Sequence, residues 1–313
     1  MSTWLINTAV QRAISWLPQS LRWNSVFQSV FTRSIQLGFG MLQNRAEYCT
    51  KTLDAYFALS KALPSSAFHV LEIGTGRYPV APIAFYLCGA EQISTFDIIS
   101  LLGSRRVKQT LELFASCYRS GELQKLLPRL LPERAARLEE MLLLADFIPC
   151  KRVLAKLNIK VFVRDAQQTG LPSESVNVMF SHTVLQHFPL PVLQNVFAEL
   201  RRVASPGAIM GHWINMADLF APFDPSISRL NCFRFSTRQW RVLNSPLTPQ
   251  NRLRLSDYRR VAINSGFQIL KEDVTSAEER ELARVPLASE FRHYSREDML
   301  AAYVFLLASS GPP

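Results

Sequence analysis

The stretch Phe68–Ile98, FHVLEIGTGRYPVAPIAFYLCGAEQISTFDI, limits the fold more than any other part of the chain. His69 to Ile73 make an apolar run short enough for a buried strand. The run stops at Gly74-Thr75-Gly76, where glycine lets the backbone turn sharply and meet a ligand with no Cβ in the way. Pro79 to Leu87 recovers helical composition, and a helix start accepts proline. Gln92 to Ile98 reads as a second strand with Asp97 at its tip. In an open α/β sheet a carboxylate at that tip is placed to hydrogen-bond a ribose.

The spacing narrows the ligand. A dinucleotide fingerprint, G-x-G-x-x-G, needs its third glycine where Pro79 stands. No Lys-Ser/Thr follows the turn, so a P-loop is excluded. What stands is Glu72-x-Gly74-x-Gly76 and an acid closing the next strand. This pattern resembles the first two cofactor motifs of class I S-adenosylmethionine-dependent methyltransferases. The family usually has a third glycine, at the position of Tyr78 here.

Later segments keep the family's order over about Phe68 to Leu307. Lys160 to Arg164 is a short strand ending at Asp165-Ala166. Leu171-Pro172 and Ser175 lead into Val176–Phe180 and then Ser181-His182, with Asn177 where the family commonly has Asp. Thr183–His187, TVLQH, resembles a run of the small-molecule branch. Leu193, Val196, Phe197, Leu200 and Val203 fall at helical spacing. Ser205-Pro206-Gly207 predicts a turn and Ala208–Ile214 a fifth strand. Ser256 is the expected N-cap of a helix over Asp257–Ser265 that Gly266 ends, before a sixth strand, Phe267–Asp273, and a last one, Tyr303–Ala308.

The resemblance implies a Rossmann-like α/β sheet, mostly parallel with an antiparallel last strand. It divides the chain into a helical N-terminal extension or lid, 1–60, and a catalytic domain, 61–313, with insertions at about 101–158 and 215–253. The insertion at 101–158 reads either as a helical decoration or as a cap over the sheet's carboxyl edge. The one at 215–253 resembles a substrate-side insertion. The implied cofactor is S-adenosyl-L-methionine, leaving as S-adenosyl-L-homocysteine. Glu72, Gly74, Thr75, Gly76, Asp97, Ile98, Asp165, Ala166, Ser181 and His182 are the residues implied to hold it. Asp97 would take the ribose, Asp165 and Ala166 the adenine, and Glu72 the methionine ammonium.

The implied activity is methyl transfer to an oxygen or nitrogen of a small, apolar or amphiphilic, natural-product-like metabolite. Histidine is the natural base near neutral pH, and His182 and His212 are the candidates. His187, Asn251, Arg252 and Arg254 are candidate substrate contacts, the arginines as carboxylate or phosphate clamps. His69 reads as structural and His293 as exposed. Two other readings stay open: a methyltransferase-fold binding protein without turnover, and a nucleic-acid or lipid methyltransferase.

Composition sets further bounds. The 313 residues are 48% hydrophobic, enough for a large core. No apolar run approaches the roughly 18 residues of a membrane span. The five cysteines form no CxxC or Cys/His ligand pattern, which fits a reducing cytoplasm and predicts no metal. The net charge of +10 is spread rather than clustered, which argues against nucleic acid. Residues 1–46 hold Arg12, Arg22, Arg33 and Arg45 and no acid. They read as helices packing on the catalytic domain, as a peripheral membrane contact, or as a transit-like segment. Nothing in the sequence reports oligomeric state.

Overall fold

The computed structural model describes Val10, residues 37–59 and residues 67–311. The readings made for residues 1–36 lie outside them. The strands are β1 (His69–Ile73), β2 (Gln92–Asp97), β3 (Ile159–Val163), β4 (Val176–His182), β5 (Ala204–Asn215), β6 (Gln268–Ser276) and β7 (Ala301–Ser309). They form one sheet in the order β3-β2-β1-β4-β5-β7-β6. The first five are parallel, and β7 runs antiparallel to both β5 and β6. The order reverses between β1 and β4, and such a reversal opens a crevice beyond the carboxyl ends of the strands. This is the Rossmann-like α/β sheet, mostly parallel with an antiparallel last strand, that the sequence implied.

The described helices are α1 (Phe39–Leu59), α2 (Val80–Leu87), α3 (Ser104–Arg119), α4 (Glu122–Leu126), α5 (Pro132–Leu144), α6 (Cys150–Lys156), α7 (Leu190–Val203), α8 (Thr237–Leu243), α9 (Leu255–Asn264), α10 (Glu279–Ala283) and α11 (Arg296–Leu300). One sheet face is covered by α1 and α2. Helix α1 buries Leu42, Ala46, Cys49, Leu53 and Tyr56, spaced three or four apart. All of α2 is buried, because it also packs on α1 and α5. On the opposite face, Phe197 of α7 and Tyr258 of α9 pack with Met179, Met210 and Leu306 of the sheet.

Position 211 sets how closely α1 can sit. A Cβ on Gly211 of β5 would fall 2.2 Å from Thr52 Oγ1 and 3.1 Å from Phe305 Cζ. The absent side chain is what admits the helix. The connection from β2 to β3 extends this same core. Val107, Leu111, Phe114, Leu138, Met141 and Leu154 join the cluster built on α2, and Leu131 N–H donates to Leu87 O at 2.9 Å. The helices of the first insertion therefore pack as a decoration of this layer.

Two local expectations are corrected. Ser205-Pro206-Gly207 does not precede the fifth strand but lies within it, as an irregularity with Gly207 at φ 73°. Ser256 does not cap α9. Arg254 occupies the N-cap position, its N–H bonded to the Asp257 carboxylate at 2.9 Å, and Ser256 Oγ donates to Asp298 at 2.5 Å.

Residues of 216–253 and 277–300 build a third apolar cluster, the cap, around Phe233, Trp240, Phe291 and Met299. It sits against the start of β7, beside the carboxyl end of β5, where Asn215 pairs with Tyr303. Two buried arginines organise it. Arg254 donates to the carbonyls of Met216, Asp298, Met299 and Ala301 and lies 4.6 Å from the Phe233 ring centre. Arg252 donates to Cys232 and Phe235 carbonyls, with its guanidinium 4.9 Å and 4.8 Å from the Trp240 and Phe291 ring centres.

Candidate active site

The glycine turn leaves β1 at the crevice. Gly74 N–H donates to Phe96 O at 2.7 Å, which fixes the turn against β2. Gly74 has φ 85°, and a Cβ there would lie 2.2 Å from Val184 Cγ2. Gly76 has φ 64°, and a Cβ there would meet nothing nearer than Gly74 O at 3.9 Å. Both residues need left-handed backbone, but only Gly76 faces open space. The chain then leaves through Tyr78 and Pro79, with Val80 N–H on Tyr78 O at 2.8 Å. No third glycine is needed for this exit.

Asp97 ties the turn to the tip of β2. Its carboxylate accepts the Gly76 N–H at 3.0 Å and the Ile99 N–H at 3.2 Å. One bond per oxygen leaves acceptor capacity on both. Burial raises the Asp97 pKa, and these amide donors oppose the rise. Glu72 is 2% exposed and accepts from Thr95 Oγ1 at 2.5 Å, while the Thr95 and Thr75 hydroxyls bond each other. Desolvation pushes the Glu72 carboxyl up to about 7, against the pull of Thr95 and the Arg45 charge. Ile98, next to Asp97, is 67% exposed. At the end of β3, Asp165 is exposed and accepts from Gln167 N and Nε2 at 2.9 and 2.8 Å, and Ala166 is buried behind it.

The fourth strand ends at His182, and here α1 enters the site. His182 Nε2 lies 2.7 Å from Asn44 Oδ1. With that oxygen accepting, Nε2 carries the ring proton and Nδ1 keeps its lone pair. Burial and the Arg45 charge both hold the imidazole pKa well below its ordinary range, so the ring is neutral at pH 7. Its neighbour Thr183 has φ 58°, an outlier for a β-branched residue. Rings continue from His182 along the strand ends. His182 stacks on Trp213 at 4.8 Å and 12°, and Trp213 on Tyr303 at 5.4 Å and 15°. Tyr48 of α1 tilts against His182, Trp213 and Phe305, 4.9 to 6.0 Å away. Asn44, Arg45, Tyr48, Trp213 and Tyr303 were not singled out from sequence. Asn44 and Tyr48, one helical turn apart, were the one available signal, and they share α1 with other polar residues such as Gln43, Glu47 and Lys51.

Several expected site residues lie elsewhere. Ser181 and His212 are fully buried and bond each other at 2.8 Å, on the α7 side of the sheet. Alternation along a strand sends them to the face opposite His182 and Trp213. His212 Nε2 has no partner, and burial pushes its pKa down to about 3. A base enclosed in this way does not reach an acceptor. Arg252 and Arg254 are corrected likewise, because carbonyls within the cap already take their guanidinium groups. Asn251 donates to Leu185, Phe188 and Tyr258, and His187 Nδ1 donates to Pro249 O at 2.6 Å. Both tie the β4–α7 connection to the cap rather than facing a ligand. His69 bonds Ser94 and Ser175, and His293 is exposed.

Asn177, where the family commonly has Asp, accepts from His69 N–H at 2.9 Å and donates to Ser205 Oγ at 3.1 Å. A carboxylate could not make the second bond. An open cleft of about 790 Å³ beside Arg164, Gln168, Asn195 and Arg202 shares Asp165 with the site and is lined also by the Arg202–Glu199 ion pair. Among the described residues no group of His, Cys, Asp and Glu could hold a metal ion, and no helix is long and apolar enough to cross a membrane.

The residues present fit S-adenosylmethionine. Open space at Gly76 meets a carboxylate with free lone pairs at Asp97 and a desolvated acid at Glu72. Residues 135–210 match the model of a methyltransferase domain family. No curated protein matches the chain in sequence. Among solved structures, a geranyl diphosphate methyltransferase in complex with S-adenosylmethionine is 12% identical over 86% of this chain and 85% of that one, with a TM-score of 0.47. An S-adenosylmethionine-dependent methyltransferase from Methanosarcina mazei is 13% identical over 81% of this chain and 96% of that one, at 0.46. The cyclase SpnF is 13% identical over 84% and 81%, at 0.43.

Proposed function

Starting from a chain that carries a class I S-adenosylmethionine-dependent methyltransferase domain, we propose that it methylates an oxygen or nitrogen of a small, apolar metabolite. The observation behind this is the Gly76–Asp97 bond, which joins the glycine turn at the open end of the sheet to the acid proposed to take the ribose. The bound cofactor supplies an activated methyl on a sulfonium. The chain's own task is then to hold an acceptor in line with it and to exclude water.

The wall of Tyr48, His182, Trp213 and Tyr303 supports a flat or apolar acceptor. Such rings bind apolar surface and leave few polar groups to satisfy. His182 is proposed as the proton acceptor. Asn44 holds its Nε2–H, and the lone pair on Nδ1 takes a hydrogen bond from the acceptor hydroxyl or amine as the methyl arrives. Many surface cations are paired with acids, as in Arg229–Glu281 and Arg259–Glu272, which favours a metabolite over a polyanion. A second reading is a methyltransferase-fold binding protein without turnover, which the Gly76–Asp97 bond would serve equally well.

The test is a titration of the purified protein with S-adenosylhomocysteine by calorimetry. Wild type should bind, and Asp97→Ala should weaken binding by about tenfold or more, the value of a lost pair of charge-assisted hydrogen bonds. Equal binding by both proteins would remove the assignment of Asp97. Turnover on a panel of phenols and amines separates the enzyme from the binding protein.

A further inference from the structure

We infer that Arg45 receives the carboxylate of the methyl donor's amino-acid end, opposite Glu72, so that α1 completes the cofactor site. The inference rests on the proposed use of S-adenosylmethionine. Arg45 sits between two anchored neighbours on α1. Asn44 bonds His182 at 2.7 Å, and the Tyr48 ring lies 5.8 Å from the His182 ring centre. These contacts hold Arg45 at the carboxyl ends of β1 and β4, where it interacts electrostatically with Glu72 and His182.

Its surroundings are unusual for a cation. The guanidinium is desolvated enough for burial to lower its pKa, yet the residue keeps accessible surface. Among the described residues no acceptor makes a hydrogen bond to it, in contrast to Arg252 and Arg254, whose donors are spent on carbonyls. A guanidinium out of water needs acceptors, and a carboxylate bound in the site would supply them. The compensating charge nearby is Glu72, which Thr95 already engages and which is itself almost fully buried.

An anion at Arg45 and a cation at Glu72 would satisfy both groups. An α-amino acid presents that pair on adjacent atoms, with carboxylate and ammonium joined through one carbon. A planar guanidinium matches a carboxylate with two parallel hydrogen bonds. Glu72 lies two residues before Gly74, where the turn lets backbone approach this end of the ligand. A carboxylate on the methyl acceptor offers Arg45 the same chemistry, and the experiment separates the two sources.

The full chain and Arg45→Met and Arg45→Lys are titrated calorimetrically with three probes. These are S-adenosylhomocysteine, its decarboxylated analogue and 5′-methylthioadenosine, which keeps the nucleoside and lacks the amino acid. Arg45→Met should lose about tenfold or more in affinity for S-adenosylhomocysteine and bind methylthioadenosine within about twofold of wild type. It should no longer distinguish S-adenosylhomocysteine from the decarboxylated analogue, while Arg45→Lys keeps part of the preference. Unchanged affinity for S-adenosylhomocysteine assigns the guanidinium to the acceptor and overturns the inference. An equal loss on methylthioadenosine also overturns it, because the residue would then only support the fold. Failure of the underlying cofactor reading is distinguishable, with wild type binding none of the three.

Discussion

Gly211 of β5 and Thr52 of α1 meet so closely that a Cβ at 211 would lie 2.2 Å from the threonine Oγ1. The helix that brings Asn44, Arg45 and Tyr48 to the site can rest at this depth because strand residue 211 has no side chain. Thr52 is itself held, its Oγ1 donating to Tyr48 O at 2.7 Å. Gly211→Ala should therefore destabilise the protein by about 1–3 kcal/mol, the usual range for overpacking. Thr52→Ala removes the obstructing atoms, so the double variant should recover at least ~0.5 kcal/mol relative to the sum of the single changes. Urea unfolding of the four proteins measures the coupling, and simple additivity would mean that the helix and strand do not meet as described.

Asn44 is predicted to act on turnover far more than on cofactor affinity, because Tyr48 still anchors α1 against His182, Trp213 and Phe305 when it is removed. It fixes which nitrogen of His182 carries the proton. Removing it in Asn44→Ala lets the ring turn or change tautomer, and Nδ1 then no longer faces the acceptor in a single state. The expected result is a fall in kcat of about 10- to 100-fold, the lower part of the range for general acid–base groups. S-adenosylhomocysteine affinity should stay within about twofold. His182→Gln should lose at least as much turnover. If affinity and kcat fall together in Asn44→Ala, the residue is holding α1 in place and not setting the histidine.

The carboxyl ends of the strands were legible from the sequence because they combine short apolar runs with glycine and acid at fixed steps. Glu72, Gly76 and Asp97 could be placed in that way, and the structure brings them together. The face of the sheet on which a residue falls was harder to read. Ser181 and His182 are adjacent in sequence, and strand alternation sends one to a buried bond with His212 and the other to Asn44. Arg252 and Arg254 resembled clamps because arginine near a substrate-side insertion suggests an anion. Their real partners are main-chain carbonyls contributed by the cap, which carry no sequence signature. Arg45 was counted only as part of a basic segment, since its neighbours Glu72 and His182 are far away in the chain.

Glu72 should make cofactor binding depend on pH. Desolvation raises its pKa to about 7 in the unliganded protein, while an ammonium ion needs the carboxylate. Below pH 7 the group must first lose a proton to pair, so affinity for S-adenosylhomocysteine should rise with pH, by up to about tenfold per unit, and level off above 7. The same shift has the opposite sign for stability. The unfolded chain ionises Glu72 from its ordinary value of 4.5 upward while the folded chain keeps it protonated, so this group's contribution to stability is lost as pH rises toward 7. Glu72→Gln should flatten both dependences. Binding measured from pH 5.5 to 8.5 decides the point, and a flat wild-type profile would show that Glu72 does not face the ammonium.

His212 gives a second pH test, one that concerns stability alone. Burial without a charged partner lowers its folded pKa from 6.5 to about 3, and its Nε2 has no hydrogen bond among the described residues. Below pH 6.5 the unfolded chain takes up a proton that the folded protein refuses. The unfolded state thus binds more protons, and stability falls as pH falls from 6.5 toward 3, with a limiting slope of about 1.4 kcal/mol per pH unit. Between pH 7 and pH 5 this one group should remove about 2 kcal/mol. His212→Asn keeps a polar partner for Ser181 and has nothing to titrate in that window. His69, His182 and His187, whose pKa values burial also lowers, are common to both proteins and cancel in the comparison. Denaturant unfolding at the two pH values should show the wild type losing about 2 kcal/mol more than the variant. Parallel losses would mean that the imidazole is solvated or paired, and that the β4–β5 interior is more open than a 0% exposed side chain implies.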